Sequence, residues 1–151
     1  MMNLNLKPLS PKLGHEIPYP AYATPGSAGM DLRACLDAPV TLLPGQRAKI
    51  PTGFAIALPS ADYVALIFAR SGLATKHGVG LSNGVGVVDS DYRGEIVVGL
   101  VNQGSEPYTV EPGERVAQLA VLPVVQPSLT WTDALDETDR GAGGFGSTGK
   151  Q

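Results

Sequence analysis

Gly86-Val87-Val88-Asp89-Ser90-Asp91-Tyr92-Arg93-Gly94-Glu95-Ile96-Val97-Val98-Gly99-Leu100-Val101 is the stretch that decides the fold. Two runs rich in β-branched residues flank a polar, glycine-bearing turn region, and such residues suit the pleated, half-buried surface of a sheet. The pattern predicts two short strands joined by a hairpin.

The same punctuation continues on both sides. Val40, Ile50, Phe54, Ile56 and Leu58, then Tyr63–Phe68 and Val116–Val125, form further short apolar stretches at spacings typical of sandwiches and barrels. Between them lie many of the chain's 19 Gly and 13 Pro, a density hostile to long helices. Pro44-Gly45 and Pro112-Gly113 read as turn corners, Pro presetting φ and Gly taking the positive φ. Helical signal is confined to Ser71–Lys76 and Asp133–Thr138, each about one turn. An all-β domain, in a jelly-roll arrangement, is the expected architecture.

Ile96–Val101 and Val116–Leu122 are apolar on both faces, where a half-solvated strand alternates. One face packs on the domain core; the other needs a second sheet or a neighbouring subunit. Gln118, the polar side chain inside the later strand, points to a site or an interface.

Composition narrows the function. At 151 residues the chain fits one domain, and a domain of this size hides about 68–70% of its unfolded surface, so it needs no staples. The single cysteine, Cys35, forms no internal disulfide, which suits a reducing compartment. No signal peptide and no apolar run of membrane-spanning length is read, so a cytoplasmic location is expected. A net charge of -3 without a basic run argues against nucleic acid as a partner. A phosphate site here has to be local.

Three segments offer that chemistry. In Ala69-Arg70-Ser71-Gly72-Leu73-Ala74 a strand end meets a helical turn, combining a guanidinium, a hydroxyl and backbone N–H groups suited to an anion. The plainer alternative has Ser71 capping the turn and Arg70 pairing with a carboxylate. Asp89, at a strand end, is either a partly buried general base or, with Asp91, a turn aspartate. Asp31, in Gly29-Met30-Asp31-Leu32-Arg33, either pairs with Arg33 or another arginine or stands behind a metal's waters. His15 and His77 lack zinc-site spacing, and Ser71 has no His-Asp relay.

The terminal Arg140-Gly141-Ala142-Gly143-Gly144-Phe145-Gly146-Ser147-Thr148-Gly149 holds five glycines in ten residues. It is either a disordered tail or a clamp whose arginine, ring, hydroxyls and backbone N–H groups serve a nucleotide.

Five segments, in order, resemble the five signature motifs of the trimeric dUTP diphosphatases: Ala28–Ala34, Ala69–Ala74, Gly86–Gly94, Pro112–Gln118 and Arg140–Gly149. Met30 and Val88 are volume-conserving departures from the usual residues. The resemblance implies a jelly-roll domain over residues 1–139 with one short helix, a flexible lid over 140–151, and a homotrimer with three active sites shared between subunits. It implies hydrolysis of dUTP to dUMP and pyrophosphate, lowering dUTP and supplying dUMP for thymidylate synthesis.

Carried over residue by residue, Asn83 and the backbone near Val87 and Val88 meet the uracil edge. Val97 lines the cleft, and Tyr92 lies against the deoxyribose. Arg70, Ser71, Gly72 and Gln118 grip the phosphates from another subunit. Asp89 activates the water that attacks the α-phosphorus. Phe145 stacks on the base while Arg140, Gly146, Ser147 and Thr148 close over the phosphates. Mg2+ is the implied cofactor, held mainly by the substrate, with Asp31 acting through water or by orienting an arginine. Two rivals remain open at this stage, a dCTP deaminase-related enzyme and a dUTP-binding regulatory protein.

Overall fold

Ten strands and one short helix account for the regular structure of the computed structural model, which describes residues 3–144. In chain order they are β1 (Asn5–Pro8), β2 (Met30–Arg33), β3 (Val40–Leu42), β4 (Arg47–Ala57), β5 (Tyr63–Ala69), α1 (Ser71–His77), β6 (Val79–Leu81), β7 (Gly86–Val88), β8 (Glu95–Asn102), β9 (Tyr108–Val110) and β10 (Arg115–Pro123). The strands form two four-stranded antiparallel sheets, β1-β4-β8-β6 and β2-β10-β5-β7, plus the pair β3-β9.

One core lies between the two larger sheets. Ile50, Phe54, Ile56, Ile96, Val98 and Leu100 from one sheet and Met30, Leu32, Ala65, Ile67, Val116 and Leu119 from the other are buried in a single cluster. This is the double-sheet, all-β architecture expected, and no helix among the described residues is long and apolar enough to cross a membrane.

The turn corners follow the sequence reading: Gly45 and Gly113 sit at φ 79° and 78°. Gly53 has a less visible role. It lies at φ 79° where the β4–β8 register shifts, and a Cβ there would stand 2.7 Å from Cys35 Sγ. Cys35 is half-buried and fills the space that the missing side chain leaves.

Three expectations need correction. Residues 133–138 form no helix: they run as exposed, irregular chain, because nothing within this chain packs on them. The strand read to Val125 ends at Pro123, since Pro123 closes the pairing with β5 opposite Tyr63. The stretch around Asp89 is a corner between sheets, and not a paired hairpin: β7 pairs with β5 while β8 pairs with β4 and β6. That crossing makes the cleft described next.

Candidate active site

Where β7 leaves one sheet and β8 enters the other, the sheets part and open a cleft of about 220 Å³. Asn83, Val87, Val88, Asp89, Tyr92 and Val97 line it, so every sequence-nominated residue of this stretch meets in one place. Ile67, Gly86, Glu95 and Ile96 complete the walls. Those four were not nominated; Ile67 comes from a distant strand, and only the β5–β7 pairing brings it in opposite Gly86.

Local hydrogen bonds shape the corner. The Tyr92 N–H donates to the Asp89 carbonyl at 3.2 Å, and the Arg93 guanidinium donates to the carbonyls of Ser90 and Tyr92, both at 2.8 Å. The Tyr92 hydroxyl donates to the Glu95 carbonyl at 3.0 Å. The Glu95 carboxylate accepts from the Gly53 N–H at 2.7 Å, and Thr52 Oγ1 donates to the Ile96 carbonyl at 2.6 Å. The β4 bulge therefore anchors the returning strand. Asp89 itself is exposed in the single chain, so the partial burial expected of it is absent at this level of assembly.

A second group gathers around Asp31 on β2. Its Oδ1 lies 3.4 Å from Arg70 Nε, and its Oδ2 accepts from Arg115 Nη1 at 3.0 Å. Arg70 Nη1 also donates to the Arg115 carbonyl at 3.0 Å. Gln118 stands directly opposite Asp31 in the β10–β2 register. Two guanidinium groups on one carboxylate leave net positive charge, a setting for a polyanion.

Of the two partners considered for Asp31, Arg33 is not the one: it donates to the Gly113 carbonyl at 2.8 Å. Arg115 was overlooked as an individual residue, although it lies inside Pro112–Gln118. Its neighbour Glu114 is clamped by the Tyr108 hydroxyl and by the Glu111 N–H at 3.0 Å, which fixes the turn carrying Arg115. Burial, with the Glu114 hydrogen bond second, pushes the Tyr108 phenol up to about 12.

Ser71 opens α1 and is exposed, as is Gly72. The helix has no side-chain cap, so Ser71 is not its capping residue, and the plainer alternative for that hydroxyl falls away. Arg70 keeps both features, since it pairs with Asp31 and still borders the helix start.

The cleft wall includes none of Arg70, Ser71, Gly72, Gln118 or Asp31. The single chain thus presents the corner cleft and the arginine cluster as separate groups. Arg140 donates from Nε to the Gly143 carbonyl at 3.0 Å within an exposed turn, while Phe145, Gly146, Ser147 and Thr148 lie outside the described residues.

No group of three or more His, Cys, Asp or Glu side chains among the described residues is placed to hold a metal ion. Both Asp31 oxygens already serve arginines. Asp31 therefore has no oxygen free of an arginine to offer an ion directly.

The dUTPase family model matches residues 15–149, a span that takes in both the corner cleft and the arginine pair. The chain belongs to the dUTPase family. It is 53% identical over 148 residues to the deoxyuridine 5'-triphosphate nucleotidohydrolase of Aeromonas salmonicida, covering 98% of this chain and 97% of that protein. To the enzyme of the same name from Desulfitobacterium hafniense it is 62% identical over 130 residues, 86% of each. Among solved structures, the dUTPase of Staphylococcus bacteriophage 80alpha with dUPNHPP superposes with a TM-score of 0.84 at 26% identity, covering 97% of this chain and 98% of that one. A point mutant of the dUTPase from phage phi11 of S. aureus, described as revealing the coordination of a structural Mg(II) ion, shares the fold with a TM-score of 0.76 at 22% identity, covering 89% of this chain and 99% of that one.

Proposed function

We propose that the chain hydrolyses dUTP to dUMP and pyrophosphate, with Asp89 as the general base for water attack on the α-phosphorus. The observation that carries this reading is the meeting of Asn83, Val87, Val88, Asp89, Tyr92 and Val97 in one cleft of about 220 Å³. That volume is below the 300–1,000 Å³ of pockets for whole drug-sized ligands, which suits a base and sugar with the triphosphate extending outside. Uracil and cytosine exchange a donor for an acceptor at one edge, so Asn83 and the backbone near Val87 and Val88 reject cytosine through an unmade hydrogen bond.

The phosphates then extend to Arg70, Ser71, Gly72 and Gln118 of a neighbouring chain in a homotrimer. Two features support assembly. The outer face of β2-β10-β5-β7 carries Phe68, Leu66, Val87, Ala120 and Leu122 in register, a largely apolar surface on the single chain. Beyond β10, Val125, Leu129, Trp131 and Leu135 are 85–99% exposed, side chains that need a second chain to cover them.

Residues 1–139 act as the catalytic β-domain, and 140–151 act as the lid that brings Arg140, Phe145, Gly146, Ser147 and Thr148 to the nucleotide. Bound Mg2+ neutralises charge on the triphosphate, and the surrounding residues do the positioning. Asp31 holds Arg70 and Arg115 in place, Arg70 and Gln118 orient the phosphate chain, and Asp89 takes the proton of the attacking water. Sites of this kind work without a covalent intermediate. The reaction belongs in the cytoplasm, where it lowers dUTP and supplies dUMP for thymidylate synthesis.

A pyrophosphate-release panel over dUTP, dCTP, dTTP and UTP, with and without Mg2+, tests the reading. Release from dUTP alone, dependent on the cation, is expected. Ammonia from dCTP with dUTP left intact means a deaminase, and binding of dUTP without turnover means a regulatory protein; either result sinks the proposal.

A further inference from the structure

We infer that Gly94 is a specificity-determining position: it is the empty seat that fixes the Tyr92 ring, and with it the discrimination between deoxyribose and ribose. This rests on the dUTP-hydrolysis reading of the cleft.

Gly94 is not needed for its backbone, since its φ lies outside the left-handed region. What it supplies is space. A Cβ at Gly94 would approach the Tyr92 hydroxyl oxygen most closely, then Cζ at 2.6 Å and Cε2 at 3.0 Å. The ring therefore folds back over residue 94, and its hydroxyl reaches the Glu95 carbonyl at 3.0 Å. Because the next residue supplies that carbonyl and Gly53 holds the Glu95 carboxylate, the ring is referenced to the β4 bulge and not to a mobile tip.

The consequence is chemical. With its hydroxyl proton donated to the Glu95 carbonyl, Tyr92 has no donor left for the cleft it lines. A 2′-hydroxyl entering there meets a ring held in place that has no proton to donate to it. Discrimination then depends on where the ring stands, and Gly94 sets that. Gly94 does not itself touch substrate; it is a positioning residue.

The test is the ratio of kcat/KM for dUTP to that for UTP in the wild type, Gly94→Ala, Tyr92→Phe and the double variant. Gly94→Ala should lower the ratio about tenfold or more, within the range that steric pockets deliver. Tyr92→Phe, which removes only the tether and leaves the fold intact, should lower it about twofold to tenfold. Because Cζ and Cε2 crowd residue 94 as well as the hydroxyl, and a displaced ring has already lost its tether, the double variant should resemble Gly94→Ala alone, a non-additivity that a general loss of structure does not produce.

An unchanged ratio in Gly94→Ala overturns the inference. If that variant does not fold, Tyr92→Phe decides: a lowered ratio supports the seat and an unchanged one overturns it. A wild-type chain that turns over UTP as readily as dUTP is a failure of the functional reading itself, visible before any variant is made.

Discussion

The Asp31 carboxylate lies 3.4 Å from Arg70 Nε, a nitrogen that is buried without a hydrogen-bond partner of its own. The pair is mostly enclosed, Asp31 at 17% and Arg70 at 25% side-chain exposure. At Nε, charge attraction and not an aligned hydrogen bond ties Arg70 to Asp31, and a neutral residue at position 31 leaves Arg70 with only its Nη1 bond to the Arg115 carbonyl.

Asp31→Asn is accordingly expected to lower unfolding stability by about 1–3 kcal/mol, the cost of leaving a desolvated charged group without its partner. Its KM for dUTP should rise about tenfold as Arg70 and Arg115 lose their shared anchor. Urea denaturation and steady-state kinetics check both, and an unshifted midpoint means that the pair carries no weight.

Asp89→Asn separates binding from chemistry. The side chain keeps its size and remains at the same corner, but an amide cannot take a proton from water, and general-base catalysis is worth about 10²–10⁴ in rate. Calorimetric binding of a non-hydrolysable dUTP analogue should be nearly unchanged while pyrophosphate release falls by that factor. Retained turnover would assign the base elsewhere.

Legibility in the sequence followed locality. The Pro-Gly corners, α1 at Ser71 and the strands that β-branched runs announce were readable because their causes lie within a few residues. Asn5–Pro8 was not, since all its residues are exposed and its pairing with β4 leaves no alternating pattern to read. Asp133–Thr138 misled for the complementary reason: local propensity suggested a turn of helix, but no packing surface holds one. The Asp89 cleft was legible through its motif. The Asp31–Arg115 contact, 84 residues apart in sequence, exists only because β2 and β10 pair.

Tyr108 predicts an alkaline signature. Its phenol is pushed up to about 12 from 10.0, first by burial and then by its hydrogen bond to Glu114. Between those values the folded chain retains a proton that the unfolded chain has lost, so stability falls as pH rises from 10 toward 12. Below pH 10 both states are protonated and this contribution is constant. Melting curves of wild type and Tyr108→Phe should keep a fixed separation up to pH 10 and converge above it; parallel curves throughout would refute the assignment.

Trp131, the only tryptophan, reports on assembly. It is 99% exposed on the single chain, in a segment where Leu129 and Leu135 are 91% and 87% exposed. Large apolar side chains so exposed gain by lying on a neighbouring subunit, and burying an aromatic side chain there contributes about 1.5–3 kcal/mol per chain. The emission of the assembled protein should be blue-shifted and should move to the red, in step with the fall in sedimenting mass from three chains to one, as the protein is diluted or treated with urea. Trp131→Ala should shift that equilibrium toward single chains, while removal of residues 140–151, which leaves Trp131 in place, should keep the trimer but abolish nearly all hydrolysis. Emission already characteristic of water in the fully assembled protein would show that residues 124–139 do not cross to a second chain, and the shared-site arrangement would lose its route for delivering the lid.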